Sequence, residues 1–277
     1  MTINCNQKLI NLNSPKVMGI LNLTPDSFYD GGKHSEHKAI LLHCEKMIAE
    51  GATFLDLGAY SSRPGADDIA VEEELQRILP IVALLRKEFP ETLLSIDTFR
   101  SEVADKCLEM GAALINDISA GHLDDNMMHV VAKYQVPYIM MHMRGTPKTM
   151  RDLTDYDDII IEMRQYFSER INLTRNLGIT DIIIDMGFGF SKTRTQNFEL
   201  LNHLELFQTF EIPILAGLSR KSMIFKTLHT NAASALNGTT ALNMLALDRG
   251  AKILRVHDVK EAIECVHLYE ELKGITD

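Results

Sequence analysis

Eight short runs of apolar, largely β-branched residues recur along the chain with longer amphipathic stretches between them. They are Val17 to Leu23, Thr53 to Leu57, Leu93 to Ile96, Ala113 to Ile118, Pro137 to His142, Asp181 to Asp185, Pro213 to Ala216 and Lys252 to Val256. Runs this apolar on both faces read as parallel strands covered from both sides. The stretches between them have helical spacing, as in Val71, Leu75, Ile78, Leu79, Val82 and Leu85. Gly51, Gly111, Gly178 and Gly250 each fall one to four residues before the next run, where a helix needs a left-handed terminator. Eight βα units fill 277 residues and leave nothing for a second domain, so one (β/α)8 TIM barrel spanning residues 1–277 is favoured over a doubly wound sheet. Met1 to Pro15 precede the first unit and are expected to cover the barrel bottom.

Composition narrows the partners. At 45% hydrophobic and 24% charged residues the chain can bury a core, which excludes disorder. The net charge of −10 would repel a polyphosphate backbone, so nucleic acid is not expected. Cys5, Cys44, Cys107 and Cys265 form no CxxC pair, which points to reduced thiols and no zinc site. No leader-like segment opens the chain and no apolar run reaches the roughly 18 residues a membrane span needs, so a soluble cytoplasmic protein is expected.

In a (β/α) barrel the loops at the carboxyl ends of the strands build the active site. Polar residues fall there after every run: Asn22; Asp56, Ser61, Ser62 and Arg63; Asp97; Asn116 and Asp117; His142 and Arg144; Asp185; Ser219, Arg220 and Lys221; Arg255 and His257. Any one of them is as easily a cap or turn residue, but the repetition in every unit favours a site. Asp97, Asn116 and Asp185 end the third, fourth and sixth runs and can converge at the barrel mouth. Two carboxylates and an amide suit the donor edge of a flat 2-amino-4-oxo heterocycle, with divalent metal binding by the same oxygens as the competing reading.

Arg255 and His257, two apart, face one way on a strand, and with Arg63 in the Ser61–Gly65 loop they form a candidate anion pocket. Lys221 invites a Schiff-base reading. Its loop setting beside Arg220 and two serines instead favours hydrogen bonding to a ring carbonyl or an anion. The first loop, Asn22 to Gly32, reads as a lid with Phe28 closing over a ligand, and Phe188 and Phe190 as an aromatic wall or as core. The 14 methionines are core fillers, with only Met140 and Met141 near a strand end.

The strings GILNLTPDSF (Gly19 to Phe28), SSRPGA (Ser61 to Ala66), SIDT (Ser95 to Thr98), INDIS (Ile115 to Ser119), IDMGFGFSKT (Ile184 to Thr193), LSRKS (Leu218 to Ser222), NGTTA (Asn237 to Ala241) and RVHDV (Arg255 to Val259) together resemble dihydropteroate synthase. The resemblance runs in order from about Met18 to Val259. It implies a pterin-binding folate-pathway transferase that joins 4-aminobenzoate to 6-hydroxymethyl-7,8-dihydropterin pyrophosphate, requires Mg²⁺ and works as a homodimer. By motif, Asp97, Asn116, Asp185 and Lys221 would hold the pterin, with Arg255 stacking on it. Asp97, Asp185, Lys221 and Arg255 would be the catalytic set. Asn22 would coordinate the metal. Asn22, Arg63, Arg255 and His257 would bind diphosphate, while Ser62, Pro64, Phe190, Ser219 and Phe28 would line the aminobenzoate site.

One departure stands out: family members commonly read Gly-Glu-Ser-Thr-Arg-Pro-Gly in the second loop, and here Tyr60 takes the place of the acid and Ser62 that of the threonine. The mechanism implied is an early loss of diphosphate. Rival readings are a pterin-binding methyltransferase barrel, which needs no diphosphate pocket; a non-catalytic paralogue; and a sugar-phosphate barrel enzyme.

Overall fold

The computed structural model describes residues 1–23, 33–61 and 69–275. A hairpin opens the chain, β1 (Thr2–Cys5) against β2 (Lys8–Asn11). Its turn residues Asn6 and Gln7 both take positive φ, 51° and 65°, the geometry a two-residue hairpin needs to follow strand twist. Every expected run then forms a strand: β3 (Lys16–Asn22), β4 (Phe54–Gly58), β5 (Leu93–Asp97), β6 (Leu114–Asp117), β7 (Tyr138–Met141), β8 (Ile182–Asp185), β9 (Ile214–Ala216) and β10 (Ala251–Val256). The pairing is parallel throughout, and β10 closes onto β3 to complete an eight-stranded barrel.

Helices alternate with the strands: α1 (Lys33–Ala49), α2 (Val71–Glu88), α3 (Ser101–Glu109), α4 (Met127–Tyr134), α5 (Ile159–Asn176), α6 (Arg194–Asn202), α7 (Ser222–Thr227), α8 (Leu236–Asp248) and α9 (Val259–Lys273). Two of them, α5 and α6, start on side-chain caps that supply acceptors to orphan amides. Asp158 caps α5 by accepting from the Ile160 and Ile161 amides, and Thr193 with Gln196 forms a capping box on α6. The four terminator glycines have φ of +101° (Gly51), +93° (Gly111), +80° (Gly178) and +102° (Gly250), as their placement ahead of the strands required.

The core has two parts. A large one lies between strands and helices, and all four cysteines are buried and unpaired. The smaller one fills the lower barrel interior with Met18, Phe54, Leu93, Leu114, Ile139, Ile183, Leu215 and Ile253. Ile3, Cys5 and Ile10 of the hairpin and Leu12 just beyond it pack into that same cluster, so the N-terminal segment is the barrel-bottom cover its position implied. Among the described residues no helix is long and apolar enough to cross a membrane.

Candidate active site

Strand alternation turns the apolar floor of the barrel into a polar layer above it. Positions two residues further along each strand face the same interior. They are Ile20, Asp56, Ser95, Asn116, Met141, Asp185, Gly217 and Arg255. Further along the strands, Asn22, Gly58 and Asp97 stand in register across β3 to β5, and Asp97 is in turn paired with Asn116 on β6.

Arg255 organises one side of this layer. Its Nε donates to Asp56 Oδ2 at 2.5 Å and its Nη2 to Asp97 Oδ2 at 2.6 Å. Asn116 Nδ2 donates to the same Asp56 oxygen at 3.1 Å. Asp56 is wholly buried, where a carboxylate persists only if its charge and lone pairs are answered. Burial works against the Arg255 charge, but Asp56 and Asp97 outweigh it and hold the guanidinium firmly protonated. Burial pushes the Asp97 carboxyl well above the ordinary range; Arg255 opposes that, while Asp56, Glu74 and Asp117 add to it. Asp56 Oδ1, Ser95 Oγ and Asn116 Oδ1 are buried with no hydrogen-bond partner, leaving unused acceptors under the mouth.

Asp185 and Lys221 form the opposite side. Asp185 Oδ1 accepts the Gly187 amide at 2.8 Å, and burial raises its pKa against the pull of Lys221. Lys221 occupies the N-cap of α7; its Nζ donates to the Phe188 carbonyl and lies 4.9 Å from the Phe190 ring centroid. A Cβ built on Gly217 would sit 3.9 Å from Lys221 Nζ and 4.0 Å from Asp185 Oδ2, so carboxylate and amine border one spot. Burial brings Lys221 down to about 8, with Asp185 pulling the other way. At the rim, the His257 amide donates to Ser219 Oγ at 3.2 Å, so the Ser219 hydroxyl is free to donate to His257 Nδ1 at 3.0 Å. Ser219 thus binds both the backbone and the ring of His257, just beyond the end of β10.

These polar groups converge on the one end of the barrel where this architecture places its chemistry. The model of the pterin binding enzyme family matches residues 18–257. Dihydropteroate synthase of Escherichia coli K12 is 42% identical over 263 residues, 94% of this chain and 93% of that protein. The chain belongs to the dihydropteroate synthase family. It is an enzyme, a transferase. A Yersinia pestis dihydropteroate synthase solved as a sulfonamide drug complex superposes with a TM-score of 0.92 at 38% identity, covering 99% of this chain and 100% of that one. Xanthomonas albilineans dihydropteroate synthase with 4-aminobenzoic acid gives 0.91 at 37% identity, covering 99% of each.

Against the family pattern, Phe28, Ser62, Arg63 and Pro64 lie outside the described residues, as does most of the segment read as a lid. Asp97, Asn116, Asp185, Lys221, Arg255, Ser219, His257 and Phe190 all reach the mouth, with Asn22 at the end of β3. Phe188 does not belong to an aromatic wall: it is wholly buried in the core between strands and helices, and only its carbonyl serves the site. Phe190 is half-buried against the Ile118, Met141, Met143 and Met150 cluster, with Lys221 over its ring.

Tyr60, the departure from the family's acid, packs edge-to-face on Phe99 at 5.0 Å with the Arg100 guanidinium 5.2 Å from its ring centroid. Arg100 in turn bonds buried Glu74 at 2.8 Å and the Ile69 carbonyl at 2.6 Å. Among the described residues no three His, Cys, Asp or Glu side chains gather as a metal site, and the Asp97 oxygen named in the competing metal reading is engaged by Arg255. Sequence reasoning counted Asp56 and His142 among the strand-end polar residues without assigning them a chemistry, and gave none to Lys192. A charge inside the Phe54–Gly58 strand was the signal for the first.

Proposed function

We propose that this enzyme condenses 4-aminobenzoate with 6-hydroxymethyl-7,8-dihydropterin pyrophosphate, giving 7,8-dihydropteroate and pyrophosphate. The observation that carries the reading is the pairing at the barrel mouth of a carboxylate–amide side, Asp97 and Asn116, with a carboxylate–amine side, Asp185 and Lys221. Carboxylate oxygens accept from the ring N–H groups, and Lys221 donates to the ring carbonyl. Arg255, fixed by Asp56 and Asp97, presents its planar face to the ring and extends charge toward the diphosphate. His257, with Asn22 and Arg63, takes the diphosphate. Ser219 and Phe190, with Ser62, Pro64 and Phe28, line the aminobenzoate site.

Asn22 offers a neutral amide oxygen, a donor that fits Mg²⁺, which takes one or two protein oxygens together with substrate phosphates. When bound there, the ion neutralises charge on the leaving diphosphate. The protein's own part in the reaction is electrostatic. Asp97 and Asp185 stabilise positive charge on the pterin methylene as its C–O bond breaks, and Arg255 and His257 stabilise the departing oxygens. The aryl amine is already a neutral nucleophile, so it needs positioning and a late proton loss, with no strong base. Loss of diphosphate then precedes attack, an SN1-like path. The family resemblance also implies a homodimer, which sedimentation equilibrium tests directly.

The decisive experiment is a coupled pyrophosphate-release assay, with turnover expected only when both substrates are present. Absence of turnover, or turnover indifferent to 4-aminobenzoate, would overturn the assignment. Scrambling of a bridging ¹⁸O label in the pterin diphosphate without amine is expected for the stepwise path. Retention of the label would exclude it.

A further inference from the structure

Lys192 is a charge with no place in the reading above, yet it is held more completely than any other lysine among the described residues. Only 8% exposed, its Nζ lies 3.0 Å from His142 Nδ1, 3.0 Å from the Phe190 carbonyl, 3.1 Å from the Gly187 carbonyl and 3.3 Å from the His142 carbonyl. The three carbonyls are acceptors, and His142 Nδ1 is a fourth in the tautomer that carries its proton on Nε2. An ammonium has three protons and no lone pair, so it suits four converging acceptors, the longest contact sharing a proton; a neutral amine would turn its lone pair on one of them. Burial pulls the Lys192 pKa well down, Asp185 opposing and Lys221 and Arg144 adding to it, while the converging carbonyls stand where solvent would. The His142 ring is held neutral, since burial and then Lys192 both drive its pKa down, and its Nδ1 faces the lysine.

The backbone is shaped to bring these oxygens in. Gly187 has φ +64°, and a Cβ there would lie 2.2 Å from the His142 carbonyl, so the end of β7 and the loop after β8 touch only because the residue is glycine. Two such carbonyls facing each other would repel, and Lys192 sits between them. The outer surface of the same loop is the seat of Lys221, which bonds the Phe188 carbonyl and lies over the Phe190 ring. Its stem runs against Gly189, where a Cβ would lie 3.4 Å from Lys221 Cδ.

We propose that Lys192 is a positioning residue: its buried ammonium, with His142, winds the Gly187–Phe190 loop into the platform that aims Lys221 and Phe190 at the substrates. The consequence for activity rests on the pterin role of Lys221, but the platform itself does not.

The test is Lys192→Met, close in length and without the charge, read by mass spectrometry of Lys221 labelling with an amine reagent across pH. Wild-type half-labelling is expected near 8, where burial holds Lys221. The variant should shift upward by about one pH unit or more as Lys221 meets water, and its KM for pterin diphosphate should rise about tenfold while kcat changes less. A folded variant with the wild-type labelling midpoint overturns the proposal. A shifted midpoint with unchanged KM keeps the platform and removes the pterin role of Lys221. If Lys192→Met does not fold, ¹⁵N spectra of the intact enzyme decide: a protected Lys192 ammonium signal beside a His142 ring protonated on Nε2 supports the proposal, and a His142 proton on Nδ1 at neutral pH overturns it.

Discussion

Titration of the pterin site should expose the charge on Lys221. Burial lowers this lysine from 10.5 to about 8; Asp185 pulls it back, Arg255 pushes it further down and Asp97 pulls it up. If the ammonium donates to the ring carbonyl, pterin affinity is complete below that pH and is lost as the pH rises through it. At about pH 9 roughly one Lys221 in ten stays charged and at about pH 9.5 roughly one in thirty, so the dissociation constant should climb about tenfold and then thirtyfold. The climb stops where the neutral amine's own affinity takes over. A charged hydrogen bond worth roughly 1.5–3 kcal/mol sets that plateau at roughly 10- to 150-fold. On the acid side, burial raises both Asp97 and Asp185, so affinity should also fall as the pH drops, and at higher pH than ordinary carboxylates would give. Calorimetric titration with the pterin across this range is the assay, after the free ligand's own ionisation has been measured. Lys221→Met should bind weakly and lose the alkaline limb while keeping the acid one. A flat alkaline limb in the wild type, or one that survives in Lys221→Met, refutes the assignment of that limb to Lys221.

Asp185→Asn should weaken pterin binding by about 1–3 kcal/mol, because an amide presents a donor where the carboxylate presented only acceptors; unchanged affinity by calorimetry removes Asp185 from the pocket. Excess EDTA should abolish pyrophosphate release, and undiminished turnover would sink the metal role of Asn22. Sulfonamides, as aryl-amine mimics, should compete with 4-aminobenzoate; purely noncompetitive kinetics against that substrate would count against a site around Ser219 and Phe190. Arg100→Met should cost about 3 kcal/mol and lower the melting temperature by roughly 5 °C, since Glu74 is wholly buried and keeps, among the described residues, the Thr98 hydroxyl at 2.7 Å. Scanning calorimetry with no change in melting would show that the ion pair does not bear on stability.

The barrel was legible because its signal is periodic and local. Each strand run is apolar on both faces, and four helices, α1, α3, α5 and α8, end at a glycine whose backbone demand can be read without knowing its partners. The hairpin was not legible as a hairpin. Its turn uses Asn6 and Gln7 in left-handed geometry without the glycine that would have announced it, and its strands earn their place only by packing under Met18, Phe54 and Leu93. After β9 the chain forms two helices, the short α7 and the longer α8, where the sequence reading counted one βα unit.

The site was legible to the extent that strand alternation carries it. Asp97, Asn116, Asp185 and Arg255 were found because a polar residue at the end of an apolar run stands out. Period two then places each above a buried neighbour such as Leu114, Ile183 or Ile253. What alternation cannot supply is the partner. Asp56 and Arg255 are 199 positions apart and meet only because the barrel closes β10 against β3, which in turn pairs with β4. Their pairing changes the meaning of Arg255: its guanidinium is held by two acids, Asp56 and Asp97, so its orientation is set in advance and only its remaining face is offered to ligand. The loop after β8 shows the same limit. Phe188 and Phe190 are two apart, yet one is core and the other faces Lys221, because loop residues carry no period that fixes a face. What decides it is a tertiary contact: Lys192 Nζ lies within hydrogen-bonding distance of the His142, Gly187 and Phe190 carbonyls.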